Sequence, residues 1–385
     1  MVSPVELFYD LAVVVLVAQA AHHLAGQLTW RGLGEFGAVF TLVWIAWLNG
    51  SLHHELHGRD DARGRSTFLL QVMVLVAMGA FIPEAGGGRG AAFAVATAVL
   101  FAVLALLWLR ASRCDRPEYR SSSRLFIAGT SACAVLLAVT ALLPAGARVL
   151  AWGLIDGAYL AGFAAAFLVA IPAQAVVLTV TDSLTERFGA FTIIVLGETV
   201  TGVVAGLSAG PVSVLTLSVG LTAVVVGFGA WWTYFDLAGQ RVPRPTRAAD
   251  LHWMFTHLPL TAAVAAMGAA MTSLITHAHH GRTPAATAWL LCAGAAVMLC
   301  ATLFLAASLK DWDRDRRLYR LVARTCGAVA AACLGVAAAR PAPLILCLAL
   351  IVLLAVPWVL GVAHLLARES DPESKRDDNA AQGET

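Results

Sequence analysis

Charged residues are scarce in this sequence, and their scarcity excludes a soluble domain. Aspartate, glutamate, lysine and arginine together make up 13% of the 385 residues, whereas a soluble domain has about 25%. Hydrophobic residues make up 59%, and the mean hydropathy is +0.77. The net charge of +2 is too small to indicate a nucleic-acid-binding surface. The composition therefore predicts a protein that is surrounded by the lipid bilayer and has no nucleic acid as a partner.

Disulfide patterns and cofactor motifs are missing as well. The seven cysteines are scattered, mostly within apolar runs, without a C-x-x-C pair or a disulfide spacing. The sequence has no Walker loop, G-x-S-x-G motif, dinucleotide fingerprint or zinc spacing. His53 and His57 share a helix face and are the alternative metal ligands, but residues 54–57 are one residue short of the zinc-protease motif H-E-x-x-H. We therefore predict no cofactor and no metal site.

Long apolar runs dominate what is present. A helix that spans a membrane needs about 20 predominantly apolar residues. Twelve runs meet this requirement, at roughly 7–25, 33–52, 66–83, 91–109, 124–143, 148–171, 187–206, 212–235, 253–275, 285–308, 318–338 and 343–366. The first run lacks a preceding basic segment and a convincing cleavage site, so we expect a retained helix and no signal peptide. The sequence predicts an all-α polytopic membrane protein with about twelve transmembrane helices.

The basic residues alternate between the two ends of these runs. The segments that follow the even-numbered runs, including the tail after the twelfth, hold 20 lysines and arginines. The connections that follow the odd-numbered runs hold five. One further arginine, Arg324, lies inside the eleventh run. Because arginine-rich connections stay in the cytoplasm, we predict an inner (plasma) membrane protein with both termini cytoplasmic.

The two halves of the sequence resemble each other. At a constant offset of 180, five residues of the first half match the second, namely Glu6, Phe8, Val15, Leu16 and Gly26 with Glu186, Phe188, Val195, Leu196 and Gly206. Ala46-Trp47 and Ala77-Met78-Gly79-Ala80 recur in the same order as Ala230-Trp231 and Ala266-Met267-Gly268-Ala269. Six helices per half mean that both halves enter the membrane from the same side. We predict two parallel six-helix repeats, at residues 1–185 and 186–367, followed by a disordered cytoplasmic tail at 368–385.

Five short segments resemble the motifs of a known family. The first run opens with E-L-F-Y-D-L at residues 6–11, and the seventh contains E-R-F-G at 186–189 and I-I-V-L-G-E at 193–198. W-W-T-Y-F-D follows at 231–236 and H-L-P-L at 257–260. In this combination and order they resemble the bacterial low temperature requirement protein A family, from near residue 3 to about residue 270 and more weakly beyond. The resemblance implies a multipass membrane protein and brings little about mechanism.

Asp10 and Glu198 are acids within apolar runs. An ionised acid at such depth costs several kcal/mol unless it is paired, hydrated or protonated. Arg187 lies on nearly the same face of the seventh helix as Glu198, but about 16 Å away along the axis, so each needs a partner on another helix. We therefore expect Arg187 or a histidine such as His257 within reach of at least one of the two acids.

Nine polar side chains are candidates for binding protons or substrate. They are Asp10, Glu198, Glu6, Glu186, Arg187, Asp236, Tyr234, His257 and Asn49, and all except Glu198 fall in or next to the cytoplasmic leaflet. A purely structural interpretation is the alternative. In that case the N-terminus of the first helix would be capped by Glu6 and Asp10, and that of the seventh by Glu186. Arg187 would pair with Asp10 or Asp236 and hold the bundle together.

Three functions fit these observations. Twelve helices, two repeats and intramembrane acids are typical of a carrier or channel, possibly coupled to protons, with a small molecule or ion as substrate. Alternatively, paired acids and aromatic residues in a dry pocket would suit an intramembrane enzyme, cyclase- or transferase-like, acting on a lipid or isoprenoid. A structural membrane protein without turnover is the third. The sequence leaves the choice, the substrate and the oligomeric state open.

Overall fold

Twelve long α-helices make up the described part of the chain. The computed structural model describes residues 4–57, 62–113, 120–170, 179–239, 241–310, 312 and 316–369. The helices are α1 (Pro4–Gly26), α2 (Trp30–His57), α3 (Ala62–Gly79), α4 (Gly90–Ser112), α5 (Arg120–Thr140), α6 (Ala145–Ala165), α7 (Asp182–Ser208), α8 (Val214–Leu237), α9 (Arg247–Thr276), α10 (Ala285–Ser308), α11 (Arg316–Ala339) and α12 (Pro343–Glu369). A 3₁₀ turn, Ile82–Glu84, follows α3.

Each of the twelve helices contains a segment that is long and apolar enough to cross a membrane. Their outer surface is apolar too: Val15, Leu154 and Val352 are each more than half exposed. Such a surface suits lipid and not water. The predicted fold class is therefore confirmed, and the protein is an all-α polytopic membrane protein in a lipid bilayer.

Helices α7 and α9 begin earlier than the apolar runs predicted. Their apolar runs start near residues 187 and 253, but the helices start at Asp182 and Arg247. Thr181 and Thr246 stand just before them, and each side chain accepts a hydrogen bond from the backbone N–H three residues later, at 3.1 and 3.2 Å. These N-caps stabilise polar first turns, which extend both helices beyond the apolar segment.

Helix α6 ends in an irregular turn. It is α-helical to Ala165 and continues as a π-helical turn over Ala166–Ala170. Pro172, which follows this turn in the sequence and would favour a kinked or interfacial segment, lies outside the described residues. So does most of the predicted C-terminal tail, of which the described part, Arg368 and Glu369, belongs to α12.

The first six and the last six helices pack in largely the same pairwise pattern. In the first set α1 contacts α2 and α3, α4 contacts α2, α3 and α5, and α6 contacts α2 and α5. In the second set α7 contacts α8 and α9, α10 contacts α8, α9 and α11, and α12 contacts α8 and α11. Helix α8 also packs on α9, more closely than α2 packs on α3. Between the sets, α1 and α2 both contact α7 and α9. We call this contact region the central interface.

The packing of α7 on α9 is closer than that of α1 on α3. A Cβ atom on Gly202 would overlap the backbone carbonyl of Gly268, and one on Gly268 would overlap the backbone of Glu198. The Thr272 hydroxyl donates to the Gly202 carbonyl at 3.0 Å. By contrast, a Cβ on Gly79 of α3 would meet the nearest side chain of α1 at 3.6 Å, which is ordinary contact. The backbones of α7 and α9 therefore touch, as small residues in membrane helices permit.

Candidate functional site

A buried ion network joins α1 to α7 across the central interface. The Arg187 guanidinium donates from Nη1 to Glu6 Oε1 at 2.7 Å, and its Nη2 lies 3.5 Å from Asp10 Oδ1. All three residues are buried, and Asp10 is fully inaccessible. The i, i+4 spacing places both acids on one face of α1. The network therefore brings together three of the residues predicted from the sequence. It links α1, the first helix of the first set, to α7, the first helix of the second set.

Helix α2 adds a second partner for each acid. Trp47 donates its indole N–H to Asp10 Oδ1 at 2.8 Å. His54 Nε2 lies 3.3 Å from Glu6 Oε1. Trp47 and His54 are seven residues apart and thus share one face of the helix. We call Glu6, Asp10, His54 and Arg187 the charge cluster.

The named members of this cluster carry charges of both signs. Ionised Glu6 and Asp10 are negative, Arg187 is positive, and His54 can take up a proton near neutral pH. Because a charge in a low-dielectric interior is costly unless it is compensated, the contacts among these groups depend on their protonation.

The cluster also has unused hydrogen-bonding capacity. Within the described residues, Asp10 Oδ2 and the Arg187 nitrogens Nε and Nη2 are buried without a hydrogen-bond partner. Buried polar atoms are nearly always satisfied, and an exception calls for an explanation such as strain or a catalytic role. Asp10 and Arg187 can therefore form further hydrogen bonds if the central interface rearranges.

Aromatic rings pack around the inner side of the cluster. The Trp47 ring stacks on Phe191 with centroids 4.1 Å apart, and Phe188 meets it edge-on at 4.9 Å. Phe188 in turn contacts Trp253 and His257 of α9, both at 4.8 Å. These rings exclude water from the acids and strengthen their electrostatic interactions with Arg187.

Two other predicted residues form a neighbouring pair in the second half. The Tyr234 hydroxyl and His257 Nε2 are 3.0 Å apart, and His257 Nδ1 lies 2.8 Å from the Trp253 carbonyl oxygen. With Nδ1 donating to that carbonyl, Nε2 accepts from Tyr234 and the imidazole is neutral. His257 therefore belongs to a pair with Tyr234, and Phe188 separates this pair from Trp47.

Asn49 belongs to a third polar group, between α2 and α6. The Tyr159 hydroxyl donates to Asn49 Oδ1 at 2.8 Å, and Asn49 Nδ2 donates to the Ile45 carbonyl at 2.8 Å. One turn before Tyr159, Asp156 is buried, and its two carboxylate oxygens have no hydrogen-bond partner within the part of the chain that the structure describes. This group lies in the first half, away from α7.

Glu198 is buried deeper in the membrane. It lies on the α7 face that carries Arg187, in the same stripe as Gly202, where α7 crosses α9. Eleven residues separate it from Arg187, which corresponds to about 16 Å. Glu198 is therefore a further buried acid, which lies where α7 packs on α9, and it is not part of the charge cluster.

Glu186 and Asp236 lie outside the cluster as well. Both side chains are exposed, and Asp236 accepts from the Trp232 indole N–H at 2.6 Å. Arg187 pairs with the α1 acids, so of the two structural partners considered for it, Asp10 is the one it reaches. The other candidate ligands, His53 and His57, pack edge-on against Trp108. No group of three histidine, cysteine or acidic side chains in the described ranges could hold a metal ion.

Sequence reasoning missed the partners on α2. Neither Trp47 nor His54 was predicted as a partner of the acids, although their seven-residue spacing could have placed both on one helix face. The Thr181–Glu55 contact was missed too: the Thr181 hydroxyl donates to Glu55 Oε1 at 2.6 Å, and Glu55 is the residue after His54 of the charge cluster. No local signal indicates that contact, because 126 residues separate its members.

The fold and the buried network define a class, that of multipass helical membrane proteins with charges buried inside the bundle. The sequence model of the bacterial low temperature requirement A protein (LtrA) matches residues 1–363. The chain therefore belongs to the LtrA family, as its motifs had indicated. Comparison with curated proteins gave no match.

Proposed function

We propose that this LtrA-family protein is a proton-coupled carrier of a small molecule or ion. It would lie in the inner membrane with both termini in the cytoplasm, as the alternation of arginine-rich connections favours. The observation that carries the proposal is the Arg187 bridge from Glu6 to Asp10, buried at the interface between two six-helix halves. Carriers built of two halves place their coupling groups at such interfaces.

The repeat prediction is part of this proposal. We infer that the halves 1–185 and 186–367 arose by parallel duplication. The matching set of helix pairs supports the inference, because α1 to α6 and α7 to α12 contact their neighbours in the same order. A carrier of this kind would alternate by moving one half against the other at the central interface.

The charge cluster supplies a mechanism for coupling. With both acids ionised, Arg187 holds α1 and α7 together through two ionic contacts. Uptake of one proton by Asp10 would remove one of these contacts, while the Trp47 N–H and the unused Arg187 nitrogens could take new partners. The closure of the central interface would thus depend on the proton. A closed and buried cluster favours such a carrier over an open channel.

Spectroscopy on the purified protein tests proton binding without knowledge of the substrate. Infrared difference spectra between alkaline and acidic buffer should show a carboxyl C=O band when the cluster takes up a proton. We expect Glu6→Gln or Asp10→Asn to remove that band. Glu186→Gln is the matched control, because Glu186 has the same sequence context but is exposed, and it should leave the band intact. An unchanged band in both cluster variants would refute proton uptake there.

Complementation of a deletion strain tests whether the proton matters for function. Asp10→Asn and Glu198→Gln preserve shape and hydrogen bonding but cannot ionise. If the acids carry protons, both variants should accumulate normally in the membrane and fail to complement. Full complementation by both would leave the acids with a structural role.

The rings beside Asp10 favour one alternative, an intramembrane enzyme. Trp47, Phe188 and Phe191 lie on the inner side of the acid, and aromatic faces stabilise cations such as the carbocation of an isoprenoid reaction. Comparison of lipid extracts from the deletion and complemented strains separates the two. An accumulating lipid precursor that disappears only with active protein would favour the enzyme.

A further inference from the structure

A wide apolar groove runs along the outer surface of α9, α10 and α11, apart from the charge cluster. Its volume is about 810 Å³, within the range of roughly 300–1,000 Å³ that ligand pockets have. Representative lining side chains are Leu251, Phe255, Val297, Phe304 and Leu334. Val297 and Phe304 are exposed, so the groove opens to the surrounding lipid.

Basic residues surround one end of this groove. Arg247 is the first residue of α9 and precedes the lining residue Ala248. The Arg244 guanidinium donates a hydrogen bond to the Ala307 carbonyl at 2.8 Å. Ala307 lies one turn beyond Phe304, so this bond holds the guanidinium near the C-terminal end of α10. His252 lies on the groove wall and contacts the Phe304 ring at 6.1 Å.

Helix α11 contributes to the same basic end. Arg324 is exposed and lies seven residues before Ala331, which lines the groove. Seven residues return to the same helix face, about 10 Å closer to the N-terminal end of α11. Arg320 is one turn further along that face, and Lys310 follows the C-terminal end of α10. All three helices thus bring positive charge to one end of an otherwise apolar groove.

We propose that this groove is a binding site for an anionic phospholipid. An acyl chain would lie along the apolar wall, and the phosphate would lie among the basic residues at the arginine-rich, cytoplasmic end. Basic pockets between membrane helices on that side recognise lipid head groups. A zwitterionic lipid with the same chains fits the wall equally well, but it gains less from the positive end.

Cys300 provides a built-in probe for occupancy. It lines the groove and is exposed, whereas the other described cysteines are buried. Alkylation by N-ethylmaleimide can be followed at Cys300 by peptide mass spectrometry of the detergent-solubilised protein. We expect dioleoyl-phosphatidylglycerol to slow the alkylation at lower concentration than dioleoyl-phosphatidylcholine does.

Two variants separate the head-group and acyl-chain contributions. Arg324→Gln should weaken protection by phosphatidylglycerol about fivefold, which corresponds to about 1 kcal/mol for one basic residue, and should leave phosphatidylcholine unaffected. Ala331→Phe should fill the groove and abolish retention of both lipids in native mass spectrometry. The matched controls are Arg110→Gln and Ala102→Phe on α4, which are exposed and distant from the groove.

The same measurements can overturn the proposal. Equal protection by the two lipids, together with an unchanged response in Arg324→Gln, would remove the preference for an anionic head group. Failure of both lipids to protect Cys300 would remove lipid binding altogether. A dimer in native mass spectrometry that Ala331→Phe dissociates would assign the groove to a second copy of the chain instead.

Discussion

Helices α1 and α7 both contain a Glu-x-Phe pattern near their N-terminal ends, but they bury different residues of it. In α1, Glu6 is buried and Phe8 is 59% exposed. In α7, Glu186 is exposed and Phe188 is completely buried. The residue between them follows the same rule, since Leu7 faces outward and Arg187 faces inward. One sequence pattern therefore supplies Glu6 to the charge cluster from α1 and Arg187 from α7.

This difference teaches how two helices with the same short pattern can form a complementary pair. If both helices had buried the glutamate, two acids would face each other without a cation. Ala190 stands in α7 at the position that corresponds to Asp10, so α7 has no acid there. Complementarity across the central interface thus depends on differences between α1 and α7.

The largest expected effect comes from removing the cation. Arg187→Gln would leave Glu6 and Asp10 facing each other in a buried site, and breaking a buried ion pair costs about 3–5 kcal/mol. We expect a large drop in the thermal unfolding midpoint of the detergent-solubilised protein. The triple variant that also carries Glu6→Gln and Asp10→Asn should recover most of the loss, because it buries no charge. A single variant as stable as the wild type would show that the bridge contributes nothing.

Exchanging the two phenylalanines for alanine tests the opposite orientations directly. Phe188→Ala should cost about 3–5 kcal/mol, because it opens a cavity between Trp47 and Trp253. Phe8→Ala faces lipid and should cost only a few tenths of a kcal/mol. The measurement is membrane abundance beside the unfolding midpoint. Equal losses would mean that the two helices bury the same face after all.

The glycines of the two helix crossings should also differ. Gly268→Ala forces the α7 and α9 backbones apart and should cost about 2–3 kcal/mol, as overpacking does. Gly79→Ala, at the corresponding place in α3, meets only ordinary contact and gains helix propensity. We expect it to be neutral or slightly stabilising in the same unfolding assay. A destabilised Gly79→Ala would indicate that both crossings are equally close.

The smallest effect is expected for the paired tryptophans. Trp47→Phe keeps an aromatic ring against Phe191 but removes the hydrogen bond to Asp10, which should cost about 1–2 kcal/mol. Trp231, its counterpart in α8, is partly exposed, and Trp231→Phe should change stability by less than about 0.5 kcal/mol. The unfolding midpoints of the two variants, measured side by side, decide whether the α2 indole is special.

The sequence predicted what depends on local composition. Twelve apolar runs became twelve helices, because length and hydropathy determine which segments can lie in a bilayer. The energetic cost of a buried acid also led to the prediction that Arg187 or a histidine lies near Asp10 or Glu198, and the structure places Arg187 beside Asp10.

Local sequence could not decide which glutamate points inward. Glu6 and Glu186 share their immediate pattern, and only the packing of α1 and α7 on their neighbours distinguishes them. Trp47 was not predicted as a partner of Asp10, because a hydrogen-bond donor for an acid on another helix has no signature within α2. The Tyr159–Asn49 hydrogen bond joins residues 110 positions apart, which no local pattern reveals.

The contact between Gly202 and Gly268 has a mechanical consequence. Two helices whose backbones touch cannot slide or rotate past each other without a collision, because packed interfaces resist continuous deformation. Helices α7 and α9 should therefore move together as one rigid body. Arg187 belongs to α7 and His257 to α9. A movement that separates the Arg187 guanidinium from the α1 acids would therefore displace the His257 imidazole as well. We expect the hinges of this rigid body at the N-caps of the two helices, Thr181 and Thr246, and not at the glycines.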